Sequence, residues 1–579
     1  MFKKNALLIL CLFFVAVLTS ACGGGGKATP PNNSALYYLL AQQNNQQQAN
    51  EHPNNNQEEN NNNQEQPNNE EEPIVTTDVT LTLTDSLNAD KIASADIFYS
   101  VDGTTKKSSA DDKEISKAEP NADDKTKFTI SVNGTAESTK IKAVITYDSN
   151  GECLDYFSSY DGVEATNGNF DVDFENSKGD FAGGEGTAEK PYLISTPRHF
   201  ANINKQDDQG IYLYLDKHFI QTADIDFSHL TGLKIVTADE DKDITIETTN
   251  EKAPFYNDGQ GNESIGKMSS GTVPPFTGTY DGDNHTIDGL MFVNPKTSYI
   301  AIFNIGITDE EPIKKLTIGE NSIFFVDKND EIYNQALTIA PIYALPLSED
   351  AVVANTIDSL ENNAKIVVKN VQSSNCSISG ITGVLMKTEL TNCTNNGHIT
   401  IYNCKFANLH ANGVSNMIYN VNKISKCKNT GKITITKTDF FDNPNMPCNL
   451  KIYASGIIGK IQSNGTNIIT DCTNKGHIVI SNNTDMVLYC GGLIADLYNS
   501  SINNLTNSGN ITVTNNTLSK MSEYGIYVYG IATMLTTQGV IIGDTFTSEG
   551  TITVSGNDAG YTTYTTTYTG QYCGPAEMN

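Results

Sequence analysis

A ten-residue phrase returns along the C-terminal half of this chain: NCTNNGHITI from Asn392, KCKNTGKITI from Lys426 and DCTNKGHIVI from Asp471. Aligned on it, one slot holds Leu360, Cys393, Cys427, Cys472, Leu505 and Phe546. Two residues on stand Asn362, Asn395, Asn429, Asn474, Asn507 and Ser548, and four on Ala364, Gly397, Gly431, Gly476, Gly509 and Gly550. Six on come Ile366, Ile399, Ile433, Ile478, Ile511 and Ile552, and eight on Val368, Ile401, Ile435, Ile480, Val513 and Val554. Leu316 opens the series with its tail slipped by one residue. Neighbouring copies start about 33 to 45 residues apart, a period typical of solenoids, whose units bury their apolar faces only by stacking.

A second element precedes each slot: SGITGVL, NGVSNMI, SGIIGKI, GGLIADL and YGIATML. From Gly492 to Val513, about 22 residues hold three short strands. That suffices for one turn of a three-sided, right-handed parallel β-helix (a β-solenoid), with the rest of each period looping out. Strand spacing sets the step near ~4.8 Å. The glycines are expected to supply positive φ at corners, and the asparagines to bond backbone at the bends and stack as a ladder.

The slot decides what its cysteines do. Leucine and phenylalanine share it, so it is an apolar interior position where cysteine acts as a small hydrophobe. Zinc would need polar or thiolate ligands converging on one point, and Leu505 cannot serve. Disulfides between stacked rungs are the alternative, because the step falls near the permitted Cα separation. Cys376, Cys404, Cys448, Cys490 and Cys573 lie off the slot and are available to pair. His398 and His477 alternate with the buried isoleucines and should face outward, so no metal role is assigned to them.

The other end of the chain addresses compartment. Lys3 and Lys4 precede an apolar run, Ala6 to Leu18, too short to span a membrane and stop there. LTSAC follows, with small residues ahead of Cys22 and GGGG after it. This start resembles a bacterial lipoprotein signal. The resemblance implies removal of residues 1–21 and lipid attachment at Cys22, hence a membrane partner and a place in the cell envelope, at the outer membrane or cell surface. Residues 22–73, rich in Asn, Gln and Glu, have little to bury and read as a disordered tether. In 74–178 β-branched and aromatic residues alternate between Asp-Gly and Asn-Gly turns, as in a small immunoglobulin-like β-sandwich. The fold class is therefore all-β: tether, sandwich, then solenoid.

The solenoid should begin at GGEGTAEKPYLISTPRHF, from Gly183, where Thr196 caps and Pro197 starts a short helix carrying the chain's one arginine, Arg198. IYLYLDKHFIQTADIDFS then reads as strand, followed by PFTGTYDGDNHTIDGLMF and AIFNIG. Over 183–320 this resembles bacterial surface proteins with GLUG-type repeats; weaker repeats continue to about 555, AIFN departs from the usual GLFG, and the architecture is implied rather than an activity. The parts are 183–330, an N-terminal β-helix with the GLUG-like block; 331–556, repeat coils; and 557–579, a Thr/Tyr-rich tail.

No H-E-x-x-H, G-x-S-x-G or P-loop occurs. Asp224 and Asp226, and Asp281, Asp283 and His285, fit turn chemistry, with weak calcium binding as their functional option. No catalytic residue and no cofactor is assigned. Net charge −30 argues against nucleic acid. A non-enzymatic adhesion or binding scaffold for extracellular protein or glycan is expected; the alternative is a carbohydrate-active β-helix lyase or hydrolase using loop carboxylates.

Overall fold

The computed structural model describes residues 76–566 apart from 102–115, 229–232, 238–243, 249–263, 266–273, 348–354, 441–449, 518–524, 534–540 and several shorter stretches. The expectations for 1–73, Cys22 included, and for most of 557–579 lie outside the described residues.

The first part is a sandwich of two four-stranded sheets. Its strands are β1 (Thr76–Thr84), β2 (Ser94–Val101), β3 (Ser116–Ala118), β4 (Pro120–Asn121), β5 (Asp124–Asn133), β6 (Thr139–Tyr147), β7 (Cys153–Glu164) and β8 (Asn169–Asp173). One sheet runs β4-β5-β1-β8, the other β3-β2-β6-β7. Alternation sorts the faces: Val79, Leu81 and Leu83 turn inward from β1 with threonines between them. They share one core with Phe128, Phe170, Ile97, Ile141 and Val144 of both sheets.

From Tyr192 the chain is a parallel β-helix. One turn shows the plan: Thr388–Thr391 and Thr394–Asn395 in the first sheet, Ile399–Tyr402 in the second, Lys405–Asn412 in the third, Ser415–Tyr419 in the fourth. Each piece pairs in parallel with its copy in the next turn, as Ile399 with Ile433, Ile478, Ile511 and Ile552. The expected three-sided turn of about 22 residues is therefore too short. The whole period of about 33 residues is rung, in four sheets, because the segment between the recurring phrases is itself strand, Lys405–Asn412 above all. Leu316 pairs with Leu360 and Ile323 with Lys365, so that first unit is slipped by two residues rather than one.

The asparagine ladder forms as expected. Nδ2 donates to the next Oδ1 from Asn362 through Asn395, Asn429 and Asn474 to Asn507, at 2.9, 2.8, 2.9 and 2.8 Å. The glycines work differently from expectation. Left-handed φ, 47° to 57°, falls on Ser359, Asn392, Lys426, Asp471 and Asn504, one residue before the slot. Gly431 is needed instead for close approach, since a Cβ there would strike the carbonyl of Gly397 in the turn before. At the corner between the third and fourth sheets, a Cβ on Gly413 would strike the Gly456 carbonyl and the Asn429 side chain. That corner thus reaches across the interior to the asparagine ladder, and the cross-section is waisted. Outside the waist, the outer faces of the third and fourth sheets turn toward each other.

The N-terminal end is closed. Helix α1 (Pro197–Asn202) has Pro197 in its first turn, and the Thr196 hydroxyl accepts the His199 N–H at 3.2 Å. Phe200 seats against Tyr280 and Phe227. IYLYLDKHFIQTADIDFS is not one strand: only His218–Gln221 and Ile225–Asp226 are. Ile211–Tyr214 bends back onto the helix loop through Asp207 N–H to Ile211 O and Leu213 N–H to Lys205 O. At the other end Tyr564–Thr566 adds a last strand beside Ile526–Tyr529, and Phe546, Ile552 and Val554 are only partly buried.

Candidate functional site

The recurring slot is interior. Leu360, Cys393, Cys427, Cys472 and Leu505 are at most 1% exposed, and only Phe546 in the last turn is less covered. None of the seven cysteines among the described residues is in a disulfide; Cys376, Cys404 and Cys490 are buried thiols, Cys153 is half-buried, and Cys448 and Cys573 lie outside the described residues. Each slot thiol donates to a carbonyl of its own turn: Cys393 to Thr391 O at 3.2 Å, Cys427 to Ser425 O at 3.5 Å, Cys472 to Thr470 O at 3.3 Å. Contact with Cys393, added to burial, holds the Cys427 thiol well above the ordinary thiol range, and contact with Cys427 does the same for Cys472. Such thiols stay protonated and offer no thiolate to a metal or substrate.

His398 and His477 face solvent. Each Nδ1 accepts a backbone N–H of the following turn, from Lys432 at 2.9 Å and Asn510 at 3.0 Å. These histidines close the corner beside the asparagine ladder. Asp226 and Asp281 serve local turns, whereas Asp224 bonds across to the next rung. Asp224 accepts the Thr286 N–H at 2.6 Å and meets His285 Nδ1 at 3.3 Å; Asp226 accepts from Ser228 at 2.8 Å and Asp281 from Asp283 at 3.0 Å. Among the described residues no group of three or more His, Cys, Asp or Glu is arranged to hold a metal ion, and no helix is long and apolar enough to cross a membrane.

Arg198 joins the two modules. It ion-pairs with Asp155 of β7, donates to Tyr156 O at 3.1 Å and lies 4.9 Å from the Tyr156 ring centroid. Ser158 adds a 2.7 Å bond to Asp226 O. The helix residue that stood out by its rarity holds the sandwich on the solenoid.

The waist holds a cluster that sequence inspection missed. On the outer face of the third sheet, His410, Tyr453, Tyr489 and Tyr527 are successive register partners, with ring centroids 4.6, 4.9 and 5.4 Å apart and planes within 18°. The facing column of the fourth sheet contains Met417, Lys460 and Asp496. Lys460 Nζ lies 5.1 Å from the Tyr453 centroid, and Ala495 packs with Tyr453 and Tyr489. Burial pushes the Asp496 carboxyl up to about 6 against the pull of Lys460. Burial, helped by Lys460, draws His410 down to about 3, and its Nδ1 has no hydrogen-bond partner. A signal existed: each ring stands three residues before the corner glycines Gly413, Gly456, Gly492 and Gly530.

From Thr394 onward, turns differ in length at two corners only. There the first and second sheets are joined by three residues, as 396–398 and 475–477, and third and fourth by two, as 413–414 and 492–493, whereas earlier turns differ, as 319–322 and 363–364 at the first of these corners. The described strands are interrupted by 441–449 and 518–524 at or just after the second-to-third corner, and by 348–354 and 534–540 at the fourth-to-first.

No family model and no curated protein matches the chain. Among solved structures it is similar to a candidate immunoglobulin A1 protease from Bacteroides ovatus, at 16% identity and TM-score 0.36, over 66% of this chain and 88% of that one.

Proposed function

We propose that the protein is a lipid-anchored surface lipoprotein that acts as an adhesion scaffold, holding loops toward an extracellular protein or glycan. The observation that carries this reading is the separation of rung from excursion. Strand register passes unbroken from Ile366 to Ile552 while added residues collect along two edges of the solenoid. Binding residues concentrate on loops set by a rigid scaffold, and two parallel rows of loops offer a surface that changes without disturbing the core. The lipoprotein-type start ending at Cys22, the polar stretch after it and the resemblance to GLUG-repeat surface proteins support display from an envelope membrane. The structural roles of the acidic pairs favour binding over hydrolysis.

The test is a glycan and host-matrix array probed with the purified chain, with and without calcium, beside variants in which 441–449 and 518–524 are shortened to two-residue links. Binding that is lost on shortening, with the fold intact by circular dichroism, is the expected result. Binding unchanged by shortening both loops would remove the loop edges from the account. Membrane release of the Cys22→Ala variant in cells tests the anchor.

A further inference from the structure

On the outer face of the first sheet, near the closed end, the surface sinks into a hollow of about 490 Å³. Its floor is two columns of outward side chains. His218 and Thr279 are partners on consecutive turns, and their side chains meet at 2.9 Å. Ile220, Asp281 and Lys314 are partners on three consecutive turns. Ala188 and Pro191, from the opening loop, Phe219 and Glu311 complete the lining. The loop is tied down where it meets the floor, the His218 N–H donating to Gly186 O at 3.1 Å.

The charged groups of the lining pair with one another and, for Asp281, also with Lys315 beside it. Lys314 Nζ lies 2.7 Å from Glu311 and 3.7 Å from Asp281, and Lys315 lies 3.9 Å from Asp281. A charged ligand would have to displace one of these pairings, and an anion would also approach a chain of net charge −30. An uncharged ligand rich in hydroxyls meets the opposite situation. Carboxylate oxygens accept from it, the ammonium and the threonine hydroxyl donate to it, and Ala188, Pro191 and Ile220 cover its C–H faces. The volume falls within the range of roughly 300–1,000 Å³ usual for small-ligand clefts.

We propose that this hollow binds an uncharged saccharide unit. The proposal rests on the scaffold reading above and gives its glycan arm an address away from the loop edges. Ligand-observed NMR with the purified chain, using glucose, galactose, N-acetylglucosamine and their β-linked dimers, tests it. Ala188→Trp fills the hollow without removing a polar group, and Lys314→Ala removes the central donor; both positions are solvent-accessible, so the fold should survive. At least one sugar should bind, and both variants should weaken it by about ten-fold or more. A sugar that binds wild type and both variants equally overturns the hollow while leaving the scaffold reading standing. So does a chain that binds matrix protein or acidic glycan on the array but none of these sugars. A chain that binds nothing on either assay overturns both.

Discussion

Asp496 and His410 make the waist a test of the whole electrostatic argument. The folded Asp496 carboxyl titrates near about 6, against ~3.9 unfolded, so the shift of about two units corresponds to roughly 3 kcal/mol. The folded pKa is raised, so the native state holds its proton more tightly than the unfolded chain. That stability is fully present below about pH 4 and is lost as pH rises toward 6. His410 has the opposite sign. Its folded pKa, about 3, is depressed from ~6.5, so its contribution is present above pH 6.5 and is lost on acidification, by about 4–5 kcal/mol in full. Between pH 4 and 6 the two slopes oppose and nearly cancel. Both groups are 6% exposed, so solvent screening takes little from either figure.

Asp496→Asn removes one slope and leaves the other. Relative to wild type, the variant should gain up to about 3 kcal/mol on going from pH 4 to pH 7.5, with most of the change between 4 and 6. Urea denaturation of both proteins at pH 4, 5, 6 and 7.5, followed by tyrosine fluorescence, measures the difference, and titrations elsewhere in the chain cancel in the subtraction. His410→Asn should show the reverse trend. Lys460→Met should extend the dependence on Asp496 to higher pH and enlarge its total by removing the charge that opposes the shift. A stability difference between Asp496→Asn and wild type that stays constant from pH 4 to 7.5 would refute the burial of this carboxyl.

Iodoacetamide mapping by mass spectrometry should leave Cys393, Cys427 and Cys472 unlabelled in the native chain and fully labelled after denaturation. Cys393→Leu, which extends the column from Leu360 but adds bulk to a packed site, should cost about 1–3 kcal/mol, whereas Cys393→Asp should prevent folding of the solenoid, as read by circular dichroism. Asn429→Ala removes two ladder bonds and the bond to Gly431 O, and leaves Asn395 Nδ2 and Asn474 Oδ1 each one partner short, a loss of roughly 2–4 kcal/mol by denaturant titration. Arg198→Ala leaves Asp155, 3% exposed, as a buried carboxylate; the variant should lose roughly 3–5 kcal/mol, and Asp155→Asn in the same chain should restore part of it.

The repeat was legible because its constraints are columnar. A position that must be dry in every turn accepts Leu360, Cys393 or Leu505 and little else, so register, ladder and buried thiols could be read from substitutions within one chain. The four-sided turn was not legible, because Lys405–Asn412 carries Asn408, His410 and Asn412 on a strand buried on both faces. Polar residues in such a strand resemble a loop until the waist supplies the second covered face. Glycine was misassigned for a related reason. Backbone torsion and lack of a side chain both call for glycine, and only the distance from Gly413 to Asn429 separates them. The aromatic column failed to stand out because its spacing follows the variable turn length, 43, 36 and 38 residues, rather than a fixed period.

The waist also explains why, from Thr394 onward, length variation falls at two edges. The first-to-second corner carries the asparagine ladder, and the third-to-fourth corner presses glycine against it, so an added residue at either would break contacts in two adjoining turns. The second-to-third corner carries a shorter ladder of its own, Asn483 through Asn516 to Asn557, and 441–449 and 518–524 follow that corner rather than lie in it, so a change of length there leaves both ladders in place. Loops therefore gather where the fold is indifferent to them, and an inserted segment at 441–449 should leave the unfolding free energy nearly unchanged, while one residue added after Gly413 should abolish the native state. Equal tolerance at both sites, measured by the same denaturant titration, would mean that the contact between Gly413 and the ladder does not exist.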